Sequence, residues 1–211
     1  MAVPVVFIGG LGLAVAVLYG LTRFGSQTAS GDAIAMTFAG ECLDRAQALL
    51  LARAEQIGMP VEMTGQTMTA VLPDMPDAAN LIPALLVRPG RFSLVDSSRE
   101  HRFDNGHIDA VAIDLDTAGM PVTMLKLNAA ARATLKDMPA DLSLTPEVDG
   151  TTFEPVKVST LQDTPEITIH SGDGRTSARM KRAADRAIIL EHGPLPCAIH
   201  LTNVAATDPP G

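Results

Sequence analysis

The chain has 211 residues, 46% of them hydrophobic and 19% charged, enough apolar material for one modest domain or two small ones, which excludes a disordered chain. Sixteen basic against twenty-four acidic residues leave a formal charge of −8, and the chain has no Trp and one Tyr, so it offers neither charge nor stacking surface to nucleic acid. Two cysteines are too few for a disulfide framework or an all-cysteine zinc site.

Val3 to Thr22 carry no charge and nothing strongly polar before Thr22. A helix of this length spans about 30 Å, the hydrocarbon thickness of a bilayer. The expectation is one transmembrane helix over residues 3–22, with Pro4 in its first turn, Tyr19 near a headgroup layer and Arg23 closing it in water. A cleaved signal peptide is the rival reading. Such a segment usually has a basic start and an apolar stretch of about 7–15 residues, and neither feature is present. Gly12, Ala16 and Gly20 fall four apart and share one helix face. Small residues there let two helix backbones pack closely in lipid. The frequency of Gly in membrane helices accounts for them equally well without a partner. Arg23 alone weakly favours a cytoplasmic body.

Residues 25–32 are small and polar and read as a tether. Beyond it the pattern is mixed helix and strand. Ala33 to Phe38 suits a strand, and Leu43, Ala46, Leu50, Ala54 and Ile57 make the apolar stripe of a helix stopped by Gly58 and Pro60. Val61 and Met63, then Met68, Ala70 and Leu72, alternate about Gly65-Gln66 as a hairpin. Asp77 to Leu86 reads as a helix in which Pro83 either makes a kink or marks the true start. A strand over Arg91 to Asp96 completes a first lobe, 33–96. Ser97 to Gly106 is polar and reads as a loop and a boundary.

A second lobe, 97–204, follows. Ala110 to Leu115 and Val122 to Leu127 read as strands, and Asn128 as the N-cap of a helix over Ala129 to Met138. Leu142 to Glu147 and Phe153 to Val158 flank a turn at Asp149-Gly150. Glu166 to His170 reads as a strand and Ser177 to Glu191 as a helix, with Thr176 or Ser177 as its cap and Met180, Ala184, Ala187, Ile188 and Leu190 as its apolar side. Cys197 to Val204 makes the last strand, and residues 205–211 a frayed tail. The expected class is α+β, with small antiparallel sheets and packed helices.

Several motifs of the body together resemble the first periplasmic domain of SecD, the accessory subunit of the bacterial protein-export translocase. They are Asp109 to Asp114, then Gly119 to Leu125; Asn128-Ala129-Ala130-Ala131-Arg132; Val148-Asp149-Gly150 with Pro155; and Leu190 to Pro196, where that family has a Gly-x-Leu-Pro turn. Leu43 to Gly58, Leu72-Pro73 and the helix from Asp77 are similar to the base of the same domain. The resemblance implies a base-like lobe, a head-like lobe and a body in the periplasm of a bacterium, anchored in the inner membrane. It also marks a departure. SecD carries six membrane helices and its partner six more, with ionisable residues implicated in proton-driven work. The span at 3–22 has no ionisable residue, so it cannot relay protons by itself.

No catalytic or metal constellation emerges, and no cofactor is expected. His101, His107, His170, His192 and His200 never pair at helical spacing. The loop of Glu100, His101, Asp104, His107 and Asp109 reads as solvated. Asp114-x-Asp116-x-x-Gly119 lacks the acidic twelfth ligand of a calcium loop, with Leu125 in its place. Gly172-Asp173-Gly174 reads as a turn before a helix. Cys42, flanked by Glu41 and Asp44, is a poor nucleophile. Cys42 and Cys197 read by default as two buried thiols; a bridge between them is the alternative. Met59, Met63, Met68 and Met75 gather near the hairpin, as core filling or as an adaptable apolar surface.

The function expected is non-catalytic: an accessory or assembly subunit of a larger inner-membrane complex, such as a respiratory or other energy-transducing one. Its partners would be membrane subunits met through the Gly12, Ala16 and Gly20 face, and the lipid bilayer itself. The alternative is a reduced SecD-like export factor that binds translocating, unfolded polypeptide near the translocase.

Overall fold

The computed structural model describes residues 32–207. The expected membrane helix, with Gly12, Ala16 and Gly20, lies outside the described residues, as do the tether before Asp32 and positions 208–211. No helix among the described residues is long and apolar enough to cross a membrane.

Twelve strands and five α-helices make up the described part. In chain order they begin β1 (Ala33–Ala39), α1 (Leu43–Gln56), β2 (Val61–Thr64), β3 (Thr67–Val71), α2 (Ala78–Leu86), β4 (Phe92–Val95) and β5 (His101–Asp104). After a short 3₁₀ turn come β6 (Ile108–Leu115), β7 (Pro121–Leu127), α3 (Ala129–Lys136), β8 (Ser143–Val148), β9 (Thr151–Thr152) and β10 (Val156–Lys157). The chain closes with α4 (Val158–Asp163), β11 (Glu166–His170), α5 (Thr176–Glu191) and β12 (His200–Ala206). The strands form three antiparallel sheets: β12-β1-β3-β2; β10-β8-β4-β5, with β9 on β8; and β11-β7-β6. This is the mixed α+β architecture of small antiparallel sheets that the alternating and helical periods predict.

The local signals explain most elements. All five stripe residues of α1 and its C-cap are buried, and Gly58 takes the left-handed φ of 82° that ends the helix. The Asn128 Oδ1 accepts the Ala131 amide at 3.0 Å and starts α3. Thr123 Oγ1 donates to the Ala183 carbonyl at 3.2 Å, fixing α5 against β7. The C-terminal half of α5 is buried from Ala183 to Leu190 apart from Asp185, so it runs through the core rather than over it.

Several expectations are corrected. Residues 101–104 are a strand, not a loop; at this sheet edge Arg102 and Asp104 stay exposed while Phe103 turns inward. Phe153 to Val158 is not one strand. Pro155 has no amide to donate, and the run divides into β9, β10 and the short helix α4, which buries Val158 and Leu161. Pro83 lies inside α2, which starts five residues earlier at Ala78. The N-cap of α5 is Arg175, with no side-chain cap bond, rather than Thr176 or Ser177. Ala205 and Ala206, read as tail, pair with Ala35 and Ile34.

The division after Asp96 falls between strands that pair across it. β4 pairs with β8, and β12 pairs with β1, so each expected lobe shares a sheet with the other. Such pairing joins residues distant in sequence, and no local pattern encodes it.

One charged side chain sits at the centre. Arg53 on α1 is 0% exposed. Its guanidinium donates to the carbonyls of Leu86 (3.0 Å), Arg88 (2.6 Å) and Gly193 (3.0 Å), and at longer range to Pro89 (3.5 Å) and Ile189 (3.3 Å). These carbonyls lie at or just beyond the C-terminal ends of α2 and α5, where helix acceptors are left over and the dipole is negative. One cation thus ties three helices together. Burial pushes its pKa down to about 10, partly offset by Asp149, which leaves it charged at neutral pH. Gly90 makes room for it: a Cβ there would lie 2.5 Å from the Ile189 oxygen and 2.7 Å from Arg53 Nη2.

Candidate functional site

β12 is an edge strand. Its residues read His-Leu-Thr-Asn-Val-Ala-Ala and include no Asp, Glu, Lys or Arg. Natural sheet edges are normally guarded by charge, proline or cover. Among the described edge strands longer than two residues, the others carry such guards: Glu62 on β2, Arg102 and Asp104 on β5, Asp109 and Asp114 on β6, and Glu166 on β11. β12 is the exception.

The apolar face beside it is only partly covered among the described residues. Leu201, Val204 and Ala206 stand opposite Phe38, Met36 and Ile34 of β1, on the face that packs into the core. Ile34, Met36 and Phe38 of β1 are buried, and Leu201 packs partly buried against the core; α2 lies alongside β12 but leaves part of its apolar face open. Val204 is therefore 38% exposed. Between β12 and α2 lies a groove of about 760 Å³, lined by Ile34, Leu72, Pro83, Val87, Leu201 and Val204 among others, with Asp32 as its one charged residue. A bulge at Thr37/Phe38 leaves Thr202 as the extra residue, and its hydroxyl donates to the Thr37 carbonyl at 3.0 Å.

The position of this edge is held covalently. Cys42, the N-cap of α1, is joined to Cys197 by a disulfide with S–S 2.03 Å across a separation of 155 residues. Cys197 lies three residues before β12. Together with Arg53, which holds Gly193, the bridge fixes both ends of the segment that delivers β12 to β1.

The other singled-out residues serve the framework. Asp104 and His107 face each other at 2.8 Å and cap the 3₁₀ turn. The Asp116 carboxylate accepts the Ala118 and Met120 amides at 2.8 and 2.9 Å, which, with the Met120 bond first, holds its pKa below the usual range. Among the described residues no group of three or more His, Cys, Asp or Glu is placed to hold a metal ion. Met59 and Met68 are buried, and Met63 and Met75 pack partly buried against the core. The sequence reading missed the β12 groove and Arg53. A signal existed for each: an uncharged final strand, and an arginine three residues from Leu50 and four from Ile57 within an apolar stripe.

No protein-family profile matches the sequence, and no curated protein matches it. Solved structures do. A structure of SecDF in a super-membrane-facing form superposes with a TM-score of 0.65 at 12% identity over 92% of this chain. A second, from work describing SecDF as a membrane component that enhances protein export, gives 0.62 at 12% identity, covering 83% of this chain and 100% of that one. The fold is SecD-like. The likeness is one of backbone architecture, and the chain spans 34% of the longer SecDF structure.

Proposed function

We propose that the body is a non-catalytic, polypeptide-binding domain that works with a protein-translocation machinery at a bacterial inner membrane, facing the periplasm, and that β12 is where an extended chain docks. The carrying observation is the unguarded edge of β12 beside an apolar groove. An unfolded segment adding to this edge would gain main-chain hydrogen bonds irrespective of sequence, while alternate apolar side chains enter the groove between β12 and α2. That combination suits a client that is unfolded, varied in sequence and rich in apolar residues. The SecD-like architecture supports the same reading, because SecDF is described as enhancing protein export. The assembly-subunit reading expected from the sequence rests on Gly12, Ala16 and Gly20, outside the described residues, and the SecD-like fold supports its export alternative better.

The test is fluorescence anisotropy of the full chain with a labelled, uncharged peptide of alternating Val and Thr. We expect saturable binding. Val204→Lys places a charge on the edge at a half-exposed position, and should weaken binding about tenfold or more with an unchanged circular dichroism spectrum. Failure of the wild type to bind, or equal binding by V204K, overturns the proposal.

A further inference from the structure

A second groove, of about 720 Å³, lies away from β12 and shares no lining residue with the first. Its walls include Thr151 and Thr152 of β9 and Thr168 and His170 of β11. β9 pairs with β8 alone, and β11 ends its sheet, so both walls are strands with a free side. Into it come three guanidinium groups: Arg88 beyond α2, and Arg182 and Arg186 from α5. The last two are four residues apart and therefore share a helix face.

The donors of Arg182 and Arg186 are directed at groups without full charge. Arg186, 6% exposed, donates to the carbonyls of Ile169 (3.1 Å) and His170 (3.2 Å) and to Ser171 Oγ (3.3 Å). Its plane lies over the Phe153 ring at 5.0 Å. Arg182 donates to the Ser171 and Asp173 carbonyls. These bonds fix both groups in place without cancelling their charge. Carboxylates are present too. Glu154, Asp173 and Asp185 line the groove, but Lys181 holds Asp185 at 2.6 Å and Arg179 lies 3.9 Å from Asp173. Arg88 faces Asp149 at 3.5 Å. Burial lowers the Arg186 pKa to about 10, with the neighbouring Arg88 and Arg182 adding to that and Asp185 partly offsetting it, which leaves it charged at neutral pH. Three guanidinium groups thus meet three carboxylates in one groove, and two of those carboxylates, Asp173 and Asp185, face cations outside its lining, Arg179 and Lys181, in a chain whose overall charge is −8.

We propose that this groove is a second binding site, taking carboxylates of an extended acidic peptide segment between Arg88 and Arg182, above Arg186. The free strand sides of β9 and β11 give the peptide backbone a place to lie, and the arginines select negative side chains or a chain terminus. This site is independent of the β12 edge.

The experiment uses the full chain and a labelled peptide of about eight residues alternating Glu and Thr, capped at both ends. We expect the Glu peptide to bind about tenfold more tightly than its Gln counterpart, with the difference shrinking as salt rises from about 50 to about 300 mM. A Gln peptide with a free C-terminus separates the two carboxylate sources: binding of the capped Glu peptide assigns side chains, and binding only of the uncapped peptide assigns the terminus. Arg88→Gln, at a half-exposed position, should weaken the favoured peptide about fivefold or more, while V204K leaves it unchanged. Equal binding of all peptides, indifference to R88Q, or displacement of the Glu peptide by anionic lipid vesicles overturns the proposal. The wild-type Glu-to-Gln comparison stands even if R88Q is poorly folded.

Discussion

Replacing Arg53 by Met keeps a long side chain of similar reach and removes the guanidinium. Three carbonyls now bonded at 2.6 to 3.0 Å, those of Leu86, Arg88 and Gly193, lose their partner inside the core. Bonds to a charged group are worth roughly 1.5–3 kcal/mol each, so about 5–9 kcal/mol is at stake. Against this, the buried cation carries its own desolvation cost, and a pKa of about 10 instead of 12.5 corresponds to about 3 kcal/mol in Met's favour. The balance is a loss of about 2–6 kcal/mol. With a urea dependence of about 2 kcal/mol per molar, the unfolding midpoint, followed by circular dichroism, should fall by about 1–3 M. A midpoint unchanged or raised would show that the carbonyls rehydrate or that the cation is a net burden, and the three-helix tie would then be an incorrect description.

Three further outcomes are expected. Gly90→Ala puts a Cβ 2.5 Å from the Ile189 oxygen at a φ of +71°, and should lower the melting temperature by about 10 °C. Cys42→Ser with Cys197→Ser removes a link across 155 residues; on the loop-entropy account it should cost about 5 kcal/mol in urea unfolding. His192 is held below its usual pKa first of all by burial, while its Nε2 lies 2.9 Å from Gln56 Oε1. The unfolded chain therefore takes up the proton first. Stability is complete above the ordinary value of about 6.5 and declines as pH falls through it toward the folded value. His192→Gln should flatten the difference between midpoints measured at about pH 7.5 and about pH 5.5.

The elements written in local chemistry were legible. The Leu43 to Ile57 stripe, the Asn128 cap and the Asp149-Gly150 turn each state their structure within a few residues, because capping bonds, periodicity and left-handed φ are local requirements. Two kinds of feature were not. Strand partners such as β1 with β12 and β4 with β8 are set by packing across the whole chain, and that is why a boundary after Asp96 looked natural. The β12 groove lies between α2 and β12, and how closely a helix and a strand so far apart in sequence approach each other is set by tertiary packing rather than by the residues in β12. Arg53 and Arg186 were readable in principle as cations inside apolar stripes, but their acceptors are carbonyls from distant segments and leave no pattern of their own.

The central claim is that the β12 edge takes up an extended polypeptide. Amide hydrogen exchange of the full chain, with and without the uncharged Val/Thr peptide, tests it residue by residue. The account predicts new protection concentrated in His200 to Ala206, with little change in β2, β5 and β6. Unchanged exchange in β12 at saturating peptide, or protection confined to another sheet edge, would contradict it.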